Sequence, residues 1–262
     1  MDTHLISISV IEGLTEFLPI SSTAHLIIAA KLYAVDLTDA YIKFYLLFIQ
    51  LGALAAGVFI FAKRIFTDRT LFVNICISFI PSAAIGFLFY KLFKKLLEGN
   101  MLVLALALLI GGIIFIYLEK VFMRKGGIEN IQDFGKSEIT KTDAFIVGLA
   151  QAVAIIPGVS RSGATIVAGI LRGIKREVIF EYTFILALPT LGVAVLYDAY
   201  KSRDMLSSIN SYGDLLLGFA VAFVVASITL FILKKYLSRI SLTFFGWYRI
   251  ILAFFVLAFF VI

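Results

Sequence analysis

Charge is scarce in this chain. Only 15% of its 262 residues are Asp, Glu, Lys or Arg, and 61% are hydrophobic. With a mean hydropathy of +1.04, that scarcity excludes an ordinary soluble globular domain. Cysteine is nearly missing. Cys76 stands alone inside an apolar run, so no internal disulfide can form and the redox compartment is not legible. The opening MDTHLISIS has no lysine or arginine and so no basic leading region, and Glu12 and Glu16 interrupt the apolar stretch behind it. Both features count against a cleaved signal peptide, and the segment is expected to remain in the mature protein. The net charge of +6 is no nucleic-acid footprint. Its basic residues fall between apolar runs, as in a multi-pass membrane protein, and no nucleic-acid partner is expected.

What the chain has is long apolar runs. Six are long enough to span a bilayer, at roughly 44–62, 71–90, 101–118, 178–197, 214–233 and 242–262. Two further regions are broken. Residues 5–18 and 21–30 are separated by Leu-Pro-Ile, and residues 143–156 and 160–171 by Pro-Gly-Val. Pieces of about 10 to 14 residues suit re-entrant helices better than spans. Pro19 and Pro157 are the expected break points, because the residue before a proline is driven from helical geometry. The alternative is two ordinary short hairpins, giving ten crossings.

The layout repeats. Displaced by 139 residues, SVIEGLTEFLPISSTAHLIIAA falls on GLAQAVAIIPGVSRSGATIVAG, pairing Glu12 with Gln151, Ser21 with Ser160 and Ser22 with Arg161. Displaced by 140, FYLLFIQLGALA falls on FILALPTLGVAV. The expected fold is all-α and polytopic, one integral membrane domain over 1–262. It is an inverted repeat, 1–125 and 141–262, of a re-entrant hairpin followed by three transmembrane helices. Such repeats place a site near the midplane, built from discontinuous helices. In this topology seven basic residues share the side of both termini: Lys31, Lys43, Lys91, Lys94, Lys95, Lys201 and Arg203. Fifteen, Arg239 and Arg249 among them, lie opposite. The heavier side is expected to be cytoplasmic, with the termini and the first hairpin's mouth extracytoplasmic in the cell membrane.

Glu12 and Glu16 are one helical turn apart and share a face. Ionisable groups within membrane segments are costly and point to function, although solvated glutamates near the interface are the alternative. Gly13 and Thr15 would admit a helix or a ligand closely. Ser21, Ser22 and Thr23 open the next helix. They can serve as ordinary N-caps, or as part of an anion site with the helix's free N–H groups. His25 lies three residues after Ser22 and is a candidate acid or base. In PGVSRSG, Arg161 is the basic residue this topology places away from a flank, so it calls for an anionic partner. A guanidinium can grip phosphate oxygens in a fork. The two glutamates are the alternative partners. Ser160, Ser162 and Gly163 suit an anion pocket around it. Two carboxylates beside a phosphate repel it unless a divalent cation bridges them, and magnesium suits that ligand set. Gln50, Asn74, Gln151 and Glu181 are expected to make interhelical hydrogen bonds.

EGLTEFLPISSTAH and PGVSRSGATI closely resemble the two signature motifs of the undecaprenyl-diphosphatase family, the bacitracin-resistance lipid phosphatases. The likeness extends to QLGALAA from Gln50 and FILALPT from Phe184, over nearly the whole chain. One departure is visible: the family usually reads SSTGH, where Ala24 stands here. The resemblance implies hydrolysis of a polyprenyl diphosphate to its monophosphate, recycling the lipid carrier of cell-envelope synthesis. Its motif residues fall on Glu12, Glu16, Ser21, Ser22, Thr23, His25, Ser160, Arg161, Ser162 and Thr165. It implies that Glu12 and Glu16 hold a divalent cation (magnesium, with calcium as the alternative), that Ser22 is the nucleophile, and that Arg161 clamps phosphate. The partners are the lipid substrate and the bilayer, with a homodimer left open.

On this reading Ser22 attacks the terminal phosphorus while His25 takes or returns a proton, and the rival is direct attack by water. The other large class of membrane lipid phosphatases pairs SRxxxxxH with a second histidine motif. Six residues after Arg161 stands Val167, not histidine, so that likeness fails. A transporter is the alternative from another class, since broken helices in inverted repeats suit carriers. The Ser22–His25 pair beside two glutamates favours hydrolysis, because a carrier needs no nucleophile.

Overall fold

A computed structural model describes residues 3–89, 100–126, 135–201, 212–236 and 240–261. The described helices are α1 (Thr3–Thr15), α2 (Ser22–Leu32), α3 (Ala40–Thr67), α4 (Arg69–Leu88), α5 (Met101–Gly126), α6 (Lys141–Ala152), α7 (Arg161–Leu171), α8 (Arg176–Lys201), α9 (Tyr212–Tyr236) and α10 (Leu242–Phe260). The described residues contain no strand, only an isolated parallel bridge between Lys136 and Ile174. Helices are what apolar runs must form in lipid, where each backbone polar group needs a partner within its own segment.

Six helices, α3, α4, α5, α8, α9 and α10, are long and apolar enough to cross a membrane. They lie on the six predicted runs, and α3, α5, α8 and α9 extend past them; for α3, polar caps stand outside the apolar stretch at both ends. Asp39 starts α3 by accepting from the Ile42 amide at 3.0 Å. Asp68 closes α3 and opens α4, accepting from Leu71 N at 2.9 Å. The remaining helices are short. At 1.5 Å per residue, 13 residues in α1 make roughly 20 Å and 11 residues in α2 or α7 roughly 16 Å. Neither reaches across a hydrocarbon core of about 30 Å. Pro19 and Pro157 lie in the breaks, as expected. Pro81 and Pro189 do not break α4 and α8. In a membrane bundle, neighbouring groups can satisfy the carbonyl that a proline frees.

The two broken regions have the same local build. Ser21 and Ser160, 139 positions apart, each N-cap an 11-residue helix, and each has φ of 72°. α1 packs on α2 and α9, α6 packs on α7 and α4, α3 lies against α8, and α5 lies against α10. Close approach comes from small residues, as is usual between membrane helices. A Cβ on Gly13 would stand 2.9 Å from the Ala222 carbonyl of α9, and one on Gly148 would stand 2.2 Å from the Ser78 carbonyl of α4. Gly13 therefore admits a helix rather than a ligand.

Three of the four polar residues expected to bond between helices find partners on another segment; Asn74 does so with the residue stretch just ahead of α6, and Gln50 takes part in none of the described hydrogen bonds. Asn74 donates to Ile139 O at 2.6 Å, Gln151 donates to Ser82 and Thr190 at 2.9 and 3.0 Å, and Glu181 pairs with Arg64. A polar cluster ties the start of α6 to the end of α7. Asp143 accepts from Lys136, Thr140 and Arg172, and completes a capping box with Thr140. Burial alone would raise its pKa, but these donors outweigh burial and hold the carboxyl well below the usual carboxylate range.

One assignment is corrected. Arg249 does not flank a membrane face with the other basic residues. It is completely buried within α10, turned into the bundle rather than toward headgroups. Lys91, Lys94, Lys95, Arg203 and Arg239, which also enter the charge comparison, lie outside the described residues.

Candidate active site

α1 ends at Thr15, so Glu16 stands just beyond the helix rather than inside it. Its amide still bonds to Glu12 O at 3.0 Å, which keeps the turn and stacks the two acids as their spacing predicts. Both are buried. The chain then reverses through residues 16–21 and re-enters helix at Ser22. Ser21 takes a left-handed φ of 72°, a strained conformation for a residue with a Cβ. The turn compensates by capping: Ser21 Oγ accepts from Ala24 N at 3.4 Å. Ser160 repeats the device, accepting from Gly163 N at 3.2 Å.

The reversal brings Ser22 back over Glu16. Ser22 Oγ donates to Glu16 Oε2 at 2.5 Å. The other carboxylate oxygen, Oε1, accepts from Arg161 Nη2 at 2.8 Å. One carboxylate thus joins the hydroxyl of the first hairpin to the guanidinium of the second, across 145 positions of chain. Arg161 is fixed from its other side by donating Nη1 to Thr183 O at 3.1 Å, while its Nε has no partner. Glu12 lies within electrostatic reach of Glu16 and Arg161, yet neither of its carboxylate oxygens accepts a hydrogen bond from a donor. A buried carboxylate without a donor is far too costly to persist as an isolated anion. Two neighbouring carboxylates can share only a proton or a cation.

His25 is placed differently from the expected relay. Its Nδ1 lies 2.8 Å from Ser21 O, so Nδ1 carries the hydrogen and donates. Nε2, 2.7 Å from the Tyr248 hydroxyl, is then free to accept from it. The hydroxyl of Ser22 is engaged by Glu16, not by His25. The remaining predicted residues meet at the second turn. Ser162 Oγ donates to Leu18 O at 2.9 Å and lies 3.1 Å from Ser160 Oγ. Thr165 Oγ1 bonds to carbonyls of its own helix and accepts from Thr183 Oγ1 at 2.9 Å. Ser21, Ser160, Ser162 and Thr165 therefore spend their hydroxyls on shaping the two turns. Thr23 is part-exposed in the first turn of α2.

The Ala24 departure falls on the side of α2 away from these groups. Its methyl is fully buried among Ile27, Leu104, Leu108 and Ala253. The corresponding Gly163 has less room, since a Cβ there would stand 3.1 Å from Phe115 and 3.3 Å from Ser160 Cβ. Three neighbours escaped the sequence reading: Thr183, Tyr248 and Arg249. For Arg249 a signal existed, a cation in the middle of an apolar run. Thr183 and Tyr248 are unremarkable in sequence and become visible only when α8 and α10 pack.

Comparison with known proteins agrees with these motifs. Residues 5–255 match the family model described as bacitracin resistance protein BacA. A Campylobacter fetus protein named undecaprenyl-diphosphatase is 41% identical over 253 residues, 95% of each chain. Proteins of the same name from Wolinella succinogenes and Aquifex aeolicus are 41% and 38% identical, over 95% and 97% of this chain and 94% and 96% of their own. The transporter alternative finds no support in these likenesses.

Proposed function

The chain belongs to the bacitracin resistance protein BacA family, and we propose that it hydrolyses undecaprenyl diphosphate, or a closely similar polyprenyl diphosphate, to the lipid monophosphate and inorganic phosphate. Its relatives carry the name of that activity. The observation that carries the reading to this site is the line from Ser22 Oγ through Glu16 to Arg161, with contacts of 2.5 and 2.8 Å. A hydroxyl bonded to a carboxylate that is itself held by a guanidinium is an activated nucleophile with a phosphate clamp beside it.

In the first step Ser22 Oγ attacks the terminal phosphorus as its proton passes to Glu16. The bond to the bridging oxygen breaks, and the prenyl monophosphate leaves with that electron pair. Arg161, drawn partly from Glu16 as the carboxylate is neutralised, takes up charge growing on the phosphoryl oxygens. Glu16 then releases its proton to solvent, accepts one from the incoming water and returns it to Ser22 as the P–Oγ bond breaks. His25, held between Ser21 O and Tyr248, orients the first turn of α2 rather than relaying this proton.

The donor set fits a divalent cation. Glu12 offers two buried oxygens without hydrogen-bond donors beside the Glu16 carboxyl. Magnesium is satisfied by one or two carboxylates completed by phosphate oxygens and water, with calcium as the alternative. Bound there, such an ion would neutralise the acids and the diphosphate. We take 1–125 and 141–262 as inverted copies of one unit, a reading supported by the matching serine-capped turns. We place the termini and the mouth of the site outside the plasma membrane. With Arg249 removed, fourteen basic residues still oppose seven.

Purified protein incubated with C55 diphosphate and magnesium, with and without EDTA, should release phosphate in the magnesium arm, lose most of that release in EDTA, and lose it with Arg161→Ala. No release by the wild type, or equal release by the variant, overturns the reading. A phosphoserine trapped at Ser22 supports the two-step route, whereas oxygen-18 entering phosphate in one step with inversion replaces it with attack by water.

A further inference from the structure

Arg249 makes contacts that the proposed chemistry leaves unused. Its side chain is fully buried, and all its hydrogen bonds go to backbone carbonyls. Nη2 donates to Gly158 O at 2.8 Å and Ala107 O at 3.1 Å. Nη1 donates to Val159 O at 3.1 Å and Pro19 O at 3.2 Å, and Nε donates to Leu108 O at 3.4 Å. Among the described ion pairs, none includes it. Its guanidinium carbon lies 5.4 Å from the centre of the Phe115 ring. Space for the group is reserved on α5, where a Cβ on Gly111 would stand 2.2 Å from Nη2.

These carbonyls have a common logic. Pro19 and Gly158 are 139 positions apart, the offset that relates Ser21 to Ser160. A single side chain therefore grips corresponding points in both reversals and anchors them to α5. Irregular backbone at membrane depth needs such donors, and a guanidinium supplies five in a rigid plane where an ammonium supplies three at a point. The gripped carbonyls lie close in sequence to the reacting groups: Pro19 is three residues before Ser22, and Val159 is two before Arg161.

We propose that Arg249 is a positioning residue that sets the separation of the two hairpin turns and so aligns Ser22 with Arg161, without touching the substrate. This rests on the reading of Ser22 and Arg161 as diphosphatase groups. A misplacement of about 1 Å between reacting groups can cost on the order of a hundredfold in rate.

The test uses full-length protein in detergent with C55 diphosphate and magnesium. Arg249→Lys, and separately Gly111→Ala, which displaces the guanidinium without removing it, are compared with wild type and Arg161→Ala. Melting curves establish the folded fraction, and kcat is taken per folded molecule. The expected result is a fall in kcat of about a hundredfold in Arg249→Lys and a smaller fall in Gly111→Ala, with KM changed less than about threefold in both. A merely structural role would lower the melting temperature and leave kcat per folded molecule and KM unchanged, and that result overturns the proposal. A change confined to KM also overturns it, since that marks a substrate contact. Gly111→Ala keeps the question decidable if Arg249→Lys fails to fold, because wild-type kcat in the folded glycine variant refutes positioning. If the wild type releases no phosphate, the functional reading has failed. If the wild type is active and Arg161→Ala is not, unaltered Arg249→Lys sinks the positioning role alone.

Discussion

Replacing Glu16 by glutamine perturbs both ends of the hydroxyl–carboxylate–guanidinium line while keeping its shape. Glu16 Oε2 accepts from Ser22 at 2.5 Å and Oε1 from Arg161 at 2.8 Å. An amide has one acceptor oxygen and one donor nitrogen, so it can accept only one of these two bonds; with its oxygen on Arg161, its nitrogen would donate to Ser22 Oγ and reverse that bond. If the amide nitrogen faces Arg161, two donors oppose each other inside the bundle. Breaking a buried pair in this way costs about 3–5 kcal/mol, and the bond from Arg161 to Thr183 O at 3.1 Å reduces that figure. In either orientation the proton acceptor for Ser22 is lost, worth about 10² to 10⁴ in rate, or roughly 3–5 kcal/mol of barrier. Ser22→Ala removes the proposed nucleophile and should cost a similar factor. Because the two act in one step, the double variant should be no slower than the worse single variant. The assay is phosphate release from C55 diphosphate, normalised to folded protein by thermal melting. A double variant whose loss is the product of the single losses, on the order of 10⁶, would refute the shared step. Glu16→Asp is the control. It keeps the charge near Arg161 but is shorter by about 1.5 Å, so it should restore much of the stability and little of the rate.

Three further outcomes are expected. Gly13→Ala should lower stability by about 1–3 kcal/mol by overpacking, since its new Cβ would meet Val225 Cβ at 2.8 Å and Ala222 O at 2.9 Å; an unchanged melting temperature would contradict the close approach of α1 to α9. Ala24→Gly, which restores the usual family residue, should cost about 1 kcal/mol through helix propensity and leave kcat unchanged, because the methyl packs into the apolar cluster between α2, α5 and α10. The carboxyl of Asp143 is held below its ordinary range by Lys136, Thr140 and Arg172 against the opposing effect of burial. Its stabilising contribution is therefore complete above about pH 4, the unfolded carboxylate value, and is lost as pH falls toward the lower folded value. Asp143→Asn should melt earlier at pH 7 and show a weaker loss of stability on acidification than wild type, which calorimetry from pH 7 to pH 3 would check.

Much of the fold is legible because the bilayer imposes few solutions. Length and hydropathy suffice to locate α3, α4, α5, α8, α9 and α10, and the shortness of the broken pieces marks them as something other than spans. The serines at 21 and 160 are visible as caps. Their left-handed φ is not, because it follows from how each chain reversal meets its neighbours. Proline is an equivocal signal: Pro19 and Pro157 sit in breaks, while Pro81 and Pro189 sit inside continuous helices. The charge pattern misleads at Arg249, since counting cations along a chain cannot tell a flank from a side chain turned inward.

The sequence by itself determined that this is a membrane protein with two related broken hairpins. It also singled out the acids, hydroxyls and arginine of the two hairpins as candidates for one site, because periodicity, length and motif spacing are local properties of the chain. Only the tertiary structure decided which of those residues bond to one another. The first reversal gives Glu16 to Ser22, and packing of the second hairpin against the first adds Arg161. Ser160, Ser162 and Thr165 are spent on the second turn and its neighbours, and packing of α10 brings Tyr248 to His25 and Arg249 to both reversals at once. Partners separated by 145 or 230 positions leave no mark in local spacing. They are selected when the helices close, because a buried guanidinium or carbonyl is costly without a partner, and Glu12, whose oxygens have none, stands out against that rule.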